Sequence, residues 1–260
     1  MKKIYSLALG GGAAIGFSHI GVIRSIEEKK IKINEVSGTS MGAIIAGFFA
    51  MGKKSHEMEK FAKSMNYFKL LDFDLKNGLL KGNKIYKKLY EVFGDAKIEN
   101  LNIKLSIVAT NVETGKLKIF KTGKIIDAVR ASISLPGIFI PHKIGDSIYV
   151  DGGILNNLPI DVLNGKTIIA VSAIKEVVGP LKRKRKILGF ETNLGFFNMN
   201  FQILQRSILL MMKQNEYASI STFGKEVTLI KPNTEGVDFY SFNKIDELLE
   251  RGYNEANNIL

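Results

Sequence analysis

The chain has 260 residues, 45% of them hydrophobic and 24% charged, with 25 glycines and no cysteine. That is enough for one α/β domain with a sizeable core, or at most one and a half, and the lack of cysteine excludes disulfides, thiolate metal sites and cysteine nucleophiles while leaving the redox compartment open. The formal charge of +12 fits nucleic acid, an anionic membrane surface or solubility alone. The lysines are spread as on solvated helix faces, except in the tract Lys182-Arg183-Lys184-Arg185-Lys186. The apolar run after Met1-Lys2-Lys3 breaks at Gly10-Gly11-Gly12, too short for a secretory signal core, and no 18-residue apolar span follows. A cytoplasmic chain without a signal peptide or transmembrane segment is expected.

In chain order, Ile4 to Leu9 reads as a strand running into Gly10-Gly11-Gly12-Ala13-Ala14-Ile15-Gly16, followed by a helix with Ile20, Ile23 and Ile26 on one side. Strand, glycine loop and helix make the first half of a βαβ unit. A phosphate loop from Gly11 and Gly16 fails because Phe17 stands where lysine is required. A dinucleotide fingerprint lacks glycine at 13, although Glu35 lies at the distance of its acidic residue. An oxyanion loop, whose adjacent glycine amides converge on one oxygen, is the preferred reading.

The second strand turns into a helix at Val36-Ser37-Gly38-Thr39-Ser40-Met41-Gly42. Gly38 and Gly42 flank Ser40 at the spacing of a nucleophile elbow, which requires strained backbone at the serine and small neighbours two positions either side. A glycine-rich loop before a packed helix would give the same letters. Met58, Phe61, Ala62, Met65 and Phe68 follow helical spacing as core and rim, and Asn83 is placed to cap a helix carrying Ile85, Leu89 and Val92 and closed by Gly94. Ile103–Thr110 and Leu117–Phe120 read as an antiparallel hairpin at the sheet's edge, and Ile125–Ile133 as a helix.

Ile148-Tyr149-Val150 is a short strand ending at Asp151-Gly152-Gly153. That acid stands either at the carboxyl edge where α/β sheets place their chemistry or in a plain Asp-Gly turn. Ile168–Ala173 is a continuous apolar strand of a parallel sheet. A basic loop to about Gly195 precedes a helix with Phe197, Phe201, Leu204, Ile208 and Met211 on one face, and the chain closes with strand Val227–Ile230 and a helix carrying Ile245, Leu248, Leu249, Gly252 and Ala256. No repeat or low-complexity linker divides it, so a single domain over 1–260 is expected.

Three segments together resemble the patatin-like phospholipase family, in its bacterial branch: LALGGGAAIGFSHIGVIRSIEE, GTSMGAIIAGFFA and ASISLPGIFIPHKIGDSIYVDGGILNNLPIDVL. The ending TLIKPNTEGVDFYSFNKIDELLERGYNEA is similar to the family's last strand and helix, and the match is weakest over 175–225. The resemblance implies a mainly parallel central sheet with helices on both faces and a Ser–Asp dyad. In it Ser40 is the nucleophile, Asp151 of the Asp151-Gly152-Gly153 motif its base, and the amides near Gly11, Gly12 and Ala13 the oxyanion hole. The histidine count agrees with a dyad: of His19, His56 and His142, the first reads as packed, the second opens a lysine-rich helix, and only His142 could be a third member. Two departures stand out, Ala13 where a third glycine is usual and Ile15 where the family carries a basic residue.

The function implied is hydrolysis of an acyl ester, lipid or small carboxylester. A non-catalytic acyl- or lipid-binding module is the alternative, and a dinucleotide enzyme a more distant one. Residues at about 177–215 are expected either to form a cover that brings the basic tract and Phe190, Phe196, Phe197 and Phe201 to an anionic membrane, or to be a solvated loop and a core or dimer helix. No cofactor, metal or nucleic-acid partner is expected, and a homo-oligomer is left open.

Overall fold

Alternation in the first strand sets the layers. In β1 (Ile4–Leu9), Leu7 and Leu9 point into one core and Ala8 into another, and all three are fully buried. A computed structural model describes residues 3–74, 79–174, 185–187, 190–192, 195–221 and 226–260. After β1 come α1 (Ser18–Glu28), β2 (Lys32–Thr39), α2 (Met41–Ala50) and α3 (Ser55–Ser64). A small hairpin, β3 (Phe73–Asp74) with β4 (Leu79–Leu80), precedes α4 (Asn83–Phe93), β5 (Lys104–Asn111), β6 (Lys116–Phe120) and α5 (Ile125–Ser132). Then follow β7 (His142–Ile144), β8 (Ser147–Asp151), β9 (Thr167–Val171), the hairpin β10 (Arg185–Ile187) with β11 (Phe190–Thr192), α6 (Gly195–Ser221), β12 (Glu226–Ile230) and α7 (Ile245–Ile259).

The main sheet runs β12-β9-β1-β2-β5-β8-β7, with β6 also paired to β5. The five strands from β12 to β5 are parallel and the β5 pairs with β6 and β8 are antiparallel, so the expected mainly parallel sheet and its hairpin are both present. One face packs Leu7, Leu9, Val36, Ile107 and Ile169 against α1, α2, α5 and α7. The other packs Ala8, Ile168 and Ala170 against Leu158, Ile160 and Leu163, with Ile220 of α6 on the rim.

Two local expectations are corrected. The helix at 58–68 ends at Ser64, leaving Phe68 52% exposed. Helix α4 begins at Asn83, but its cap comes from outside: the Asp72 carboxylate accepts from the amides of Gly82 (2.8 Å) and Lys84 (3.0 Å). A carboxylate on free amides at a helix start is the more favourable partner. The expected cover falls partly outside the described residues, including Lys182, Arg183 and Lys184, and the side chains of Arg185, Lys186, Phe190, Phe196, Phe197 and Phe201 are outside them too. Among the described residues no helix is long and apolar enough to cross a membrane.

Candidate active site

Strand β2 ends at Thr39 and α2 begins at Met41, so the turn is made by Ser40 alone. Its backbone sits at φ 54, ψ −122, one of three non-glycine residues among those described with positive φ, a conformation unfavourable for an L-residue and one that nucleophile turns use. The flanking glycines are dictated by close approach. A methyl on Gly42 would lie 2.2 Å from the Leu9 carbonyl oxygen, and one on Gly38 2.4 Å from that of Gly42. Gly42→Ala should therefore destabilise the chain by about 3 kcal/mol or more, because backbone rather than a mobile side chain must move; a urea melt with a near-wild-type midpoint would contradict this packing.

Strand β5 brings the acid to the serine. Its two edges are used differently: β6 takes one, while β2 and then β8 share the other. Thr39 pairs with Val108, and Asp151, arriving from the opposite direction, pairs with the next residue, Ala109. The end of β2 and the end of β8 thus abut along one strand edge. The end of α5 and the segment after it fasten both: Ser132 Oγ accepts from the Ser40 amide (2.8 Å), and the Ser134 carbonyl accepts from the Asp151 amide (3.0 Å).

Asp151 is fully buried. Its Oδ1 accepts from the Gly153 amide at 2.8 Å, whereas no donor is aligned on Oδ2. Burial pushes the carboxyl up to about 7, and the Ser40 hydroxyl and the Gly153 amide only partly offset that. The Ser40 hydroxyl is close enough to this carboxylate to lower its pKa, and Ser40 is itself partly exposed. A serine hydroxyl partly open to solvent beside a desolvated carboxylate with one uncommitted oxygen can exchange a proton near neutral pH.

The glycine segment faces the same point. A methyl on Gly11 would lie 3.2 Å from Ser40 Cβ. The Gly11 amide, however, donates to the Asn157 carbonyl (3.1 Å), whereas no acceptor among the described residues takes the amides of Gly12 and Ala13. Ala13 has φ 44, so the position where glycine is usual does require left-handed backbone. Ala13→Gly should stabilise the chain by about 1 kcal/mol by removing that penalty, readable as a higher denaturation midpoint. Ile15 is buried in the main core, 3% exposed; in place of a charge the position carries packing.

His19 is fully buried, its ring bonded to the Gly10 carbonyl through Nε2 (2.7 Å), and burial lowers it to about 4. The neutral ring therefore donates, and buttresses the glycine segment. His56 is exposed on α3. His142 lines a cleft of about 420 Å³ with Tyr86 and Asp127, a cleft that contains neither Ser40 nor Asp151. Glu35, the acid of the dinucleotide reading, is buried and accepts from Asn164 and Gly165 (2.9 to 3.2 Å), so its carboxylate is committed within the fold.

Sequence reasoning missed three contributors. Ser132 holds the Ser40 amide, Asn157 contacts the glycine segment through both backbone and side chain, and Glu216 of α6 bonds Asn157 at 2.7 Å. None carries a local signal, because serine near a helix end and asparagine in a loop are unremarkable letters.

Against known proteins, the chain is 38% identical over 184 residues to an NTE family protein of Mycobacterium tuberculosis, covering 68% of this chain and 51% of that one. It is 29% identical over 271 residues to Lysophospholipase NTE1 of Meyerozyma guilliermondii, covering 97% of this chain and 19% of that one. The chain thus spans about half the length of the mycobacterial relative and a smaller part of the yeast one. Its fold is similar to the crystal structure of VipD from Legionella pneumophila, with a TM-score of 0.57 at 15% identity, covering 99% of this chain and 66% of that chain. The match to patatin-like phospholipase runs over residues 7–164, from β1 through Ser40 to beyond the Asp-Gly-Gly turn, and this chain belongs to that family.

Proposed function

We propose that the chain hydrolyses a carboxylic ester of a lipid through an acyl-enzyme on Ser40. The observation that carries this reading is a left-handed serine at the start of α2 beside a buried carboxylate whose Oδ2 is uncommitted. As Ser40 Oγ attacks the ester carbonyl carbon, its proton passes to Asp151 Oδ2, and the carbonyl oxygen takes the negative charge. The amides of Gly12 and Ala13 are the donors left to hold that oxyanion, at the positive end of local backbone dipoles. Collapse expels the alcohol, which takes the proton back from Asp151. Asp151 then draws a proton from water, the hydroxyl adds to the acyl carbon, and Ser40 leaves with the proton restored.

A small crevice of about 10 Å³, lined by Leu135, Gln205, Ile208, Leu209, Phe239 and Tyr240, lies beside these segments. Leu135 follows the residue that fastens Asp151, and the Phe239 carbonyl accepts from the amide of Ala14 (3.1 Å) in the glycine segment. The lipid part of the reading is supported by the relatives, a lysophospholipase among them.

The test is hydrolysis of p-nitrophenyl esters of rising chain length and of lysophosphatidylcholine, with fluorophosphonate labelling in parallel. Turnover that rises with acyl length is expected. Absence of both turnover and labelling would overturn the proposal in favour of an acyl-binding module.

A further inference from the structure

Helix α6 lies beyond the residues matched to the family, yet it sends a buried ion pair toward the site. Glu216 is 1% and Lys213 6% exposed. Glu216 Oε1 accepts from Asn157 Nδ2 (2.7 Å), and Oε2 accepts from Ser172 Oγ (2.6 Å) and Lys213 Nζ (3.1 Å). Lys213 also donates to the Ile174 carbonyl (2.8 Å), lies 3.5 Å from Ser172 Oγ and sits over the Tyr217 ring. Burying such a pair rarely adds stability over apolar residues of the same size, so its stabilising value is a weak reason for it to be there.

Asn157, at the far end, is fully buried and wedged between the two turns that flank Ser40. Its carbonyl accepts the Gly11 amide and its Nδ2 lies 3.4 Å from the Gly11 carbonyl oxygen. Its Oδ1 would lie 2.5 Å from a methyl on Gly11 and 2.7 Å from one on Gly153. A carboxylate only accepts, so Glu216 fixes which end of the amide faces it: Nδ2 turns to Glu216, and Oδ1, which has no donor, turns to Gly11 and Gly153. The rest of α6 grips the acid turn as well, with Asn215 Nδ2 on the Ile154 carbonyl at 2.6 Å.

We infer that Glu216 is a positioning residue: by fixing the Asn157 amide it holds the glycine segment and the Asp-Gly-Gly turn at their working separation, with Lys213 neutralising its charge. This rests on the ester-hydrolase reading of Ser40 and Asp151. The acceptor, rather than the charge, is what the site needs.

Two neutral pairs separate these. Lys213→Met with Glu216→Leu removes both charge and acceptor; Lys213→Met with Glu216→Gln removes the charge and keeps an oxygen for Asn157. Turnover of p-nitrophenyl butyrate is expressed per fluorophosphonate-titrated site, so a partly unfolded sample does not distort it. The leucine pair should lose about 10- to 100-fold in kcat with KM nearly unchanged, as for a displaced reacting geometry, and the glutamine pair should stay within about threefold of wild type. Hydrogen exchange supplies a readout that does not need activity: the Gly11 amide should exchange about tenfold faster or more in the leucine pair only, while α1 is unchanged. Equal kcat in wild type and the leucine pair, equal losses in both pairs, or unaltered Gly11 exchange would each overturn the assignment. A wild type without turnover would instead count against the hydrolase reading, and Gly11 exchange would still judge the positioning role.

Discussion

Asp151→Asn is expected to lower kcat by about 10²- to 10⁴-fold, the share of rate that a positioned proton acceptor supplies, while making the folded chain more stable above neutral pH. Both effects come from one fact, a fully buried carboxyl that burial pushes up to about 7 from 3.8. Between those two values the folded state keeps a proton that the unfolded state has released. Stability is therefore greatest, as far as this group is concerned, below the unfolded value and falls as pH rises through the folded one. The shift corresponds to roughly 4 kcal/mol lost across the window. Asparagine cannot ionise, so the variant should lack this slope and exceed wild type by a few kcal/mol at about pH 8. In wild type, kcat/KM should climb through an apparent pKa of about 7 as the carboxylate of the free enzyme forms. Urea melts at about pH 5 and pH 8, with a pH–rate profile, check both. A variant less stable than wild type at the higher pH, or a rate flat across the window, would show that Asp151 is not the buried base described.

The second large effect is at Ser40. Ser40→Ala should lose turnover by about 10⁵- to 10⁶-fold, as removal of a nucleophile does, and should give no fluorophosphonate adduct by intact mass. Its fold should be retained, because Ser40 is partly exposed and the Ser132 bond runs to the Ser40 backbone amide. Alanine keeps the Cβ that makes φ 54 unfavourable. Ser40→Gly, equally inactive, should therefore raise the unfolding free energy by about 1 kcal/mol over Ser40→Ala. A labelled Ser40→Ala protein would move the nucleophile elsewhere, and a glycine variant no more stable than the alanine one would remove the case for strain at this turn.

Much of the fold was legible because its signals are local. Continuous apolar runs at Leu7–Leu9 and Ile168–Val171 mark strands buried on both faces, and all are fully buried in the sheet. The G-x-S-x-G letters fit a strand-to-helix turn, and Ser40 makes one. The end of a helix was less legible. Nothing in Met65 or Phe68 breaks helical periodicity, and beyond the stop at Ser64 the chain starts a new turn at Asn66, whose Oδ1 accepts from the Lys69 amide (3.1 Å). The cap of α4 was misplaced on Asn83 because the acceptor, Asp72, precedes the helix by more than a hairpin.

By itself, the sequence determined the strand–glycine–helix opening, the serine between two glycines and the acid before two more, since each is written within a few residues and sterics allow few alternatives. The tertiary structure decided how they meet. Two strands arriving from opposite directions share one edge of β5, at Val108 and Ala109, and so set Ser40 beside Asp151 across more than a hundred residues of chain. It also decided that the Gly11 amide is spent on Asn157 and that α6 reaches the site through Glu216. Hydrogen bonds between distant segments, unlike turns and periodicities, leave no spacing in the sequence to read, because their partners are chosen only once the sheet has formed.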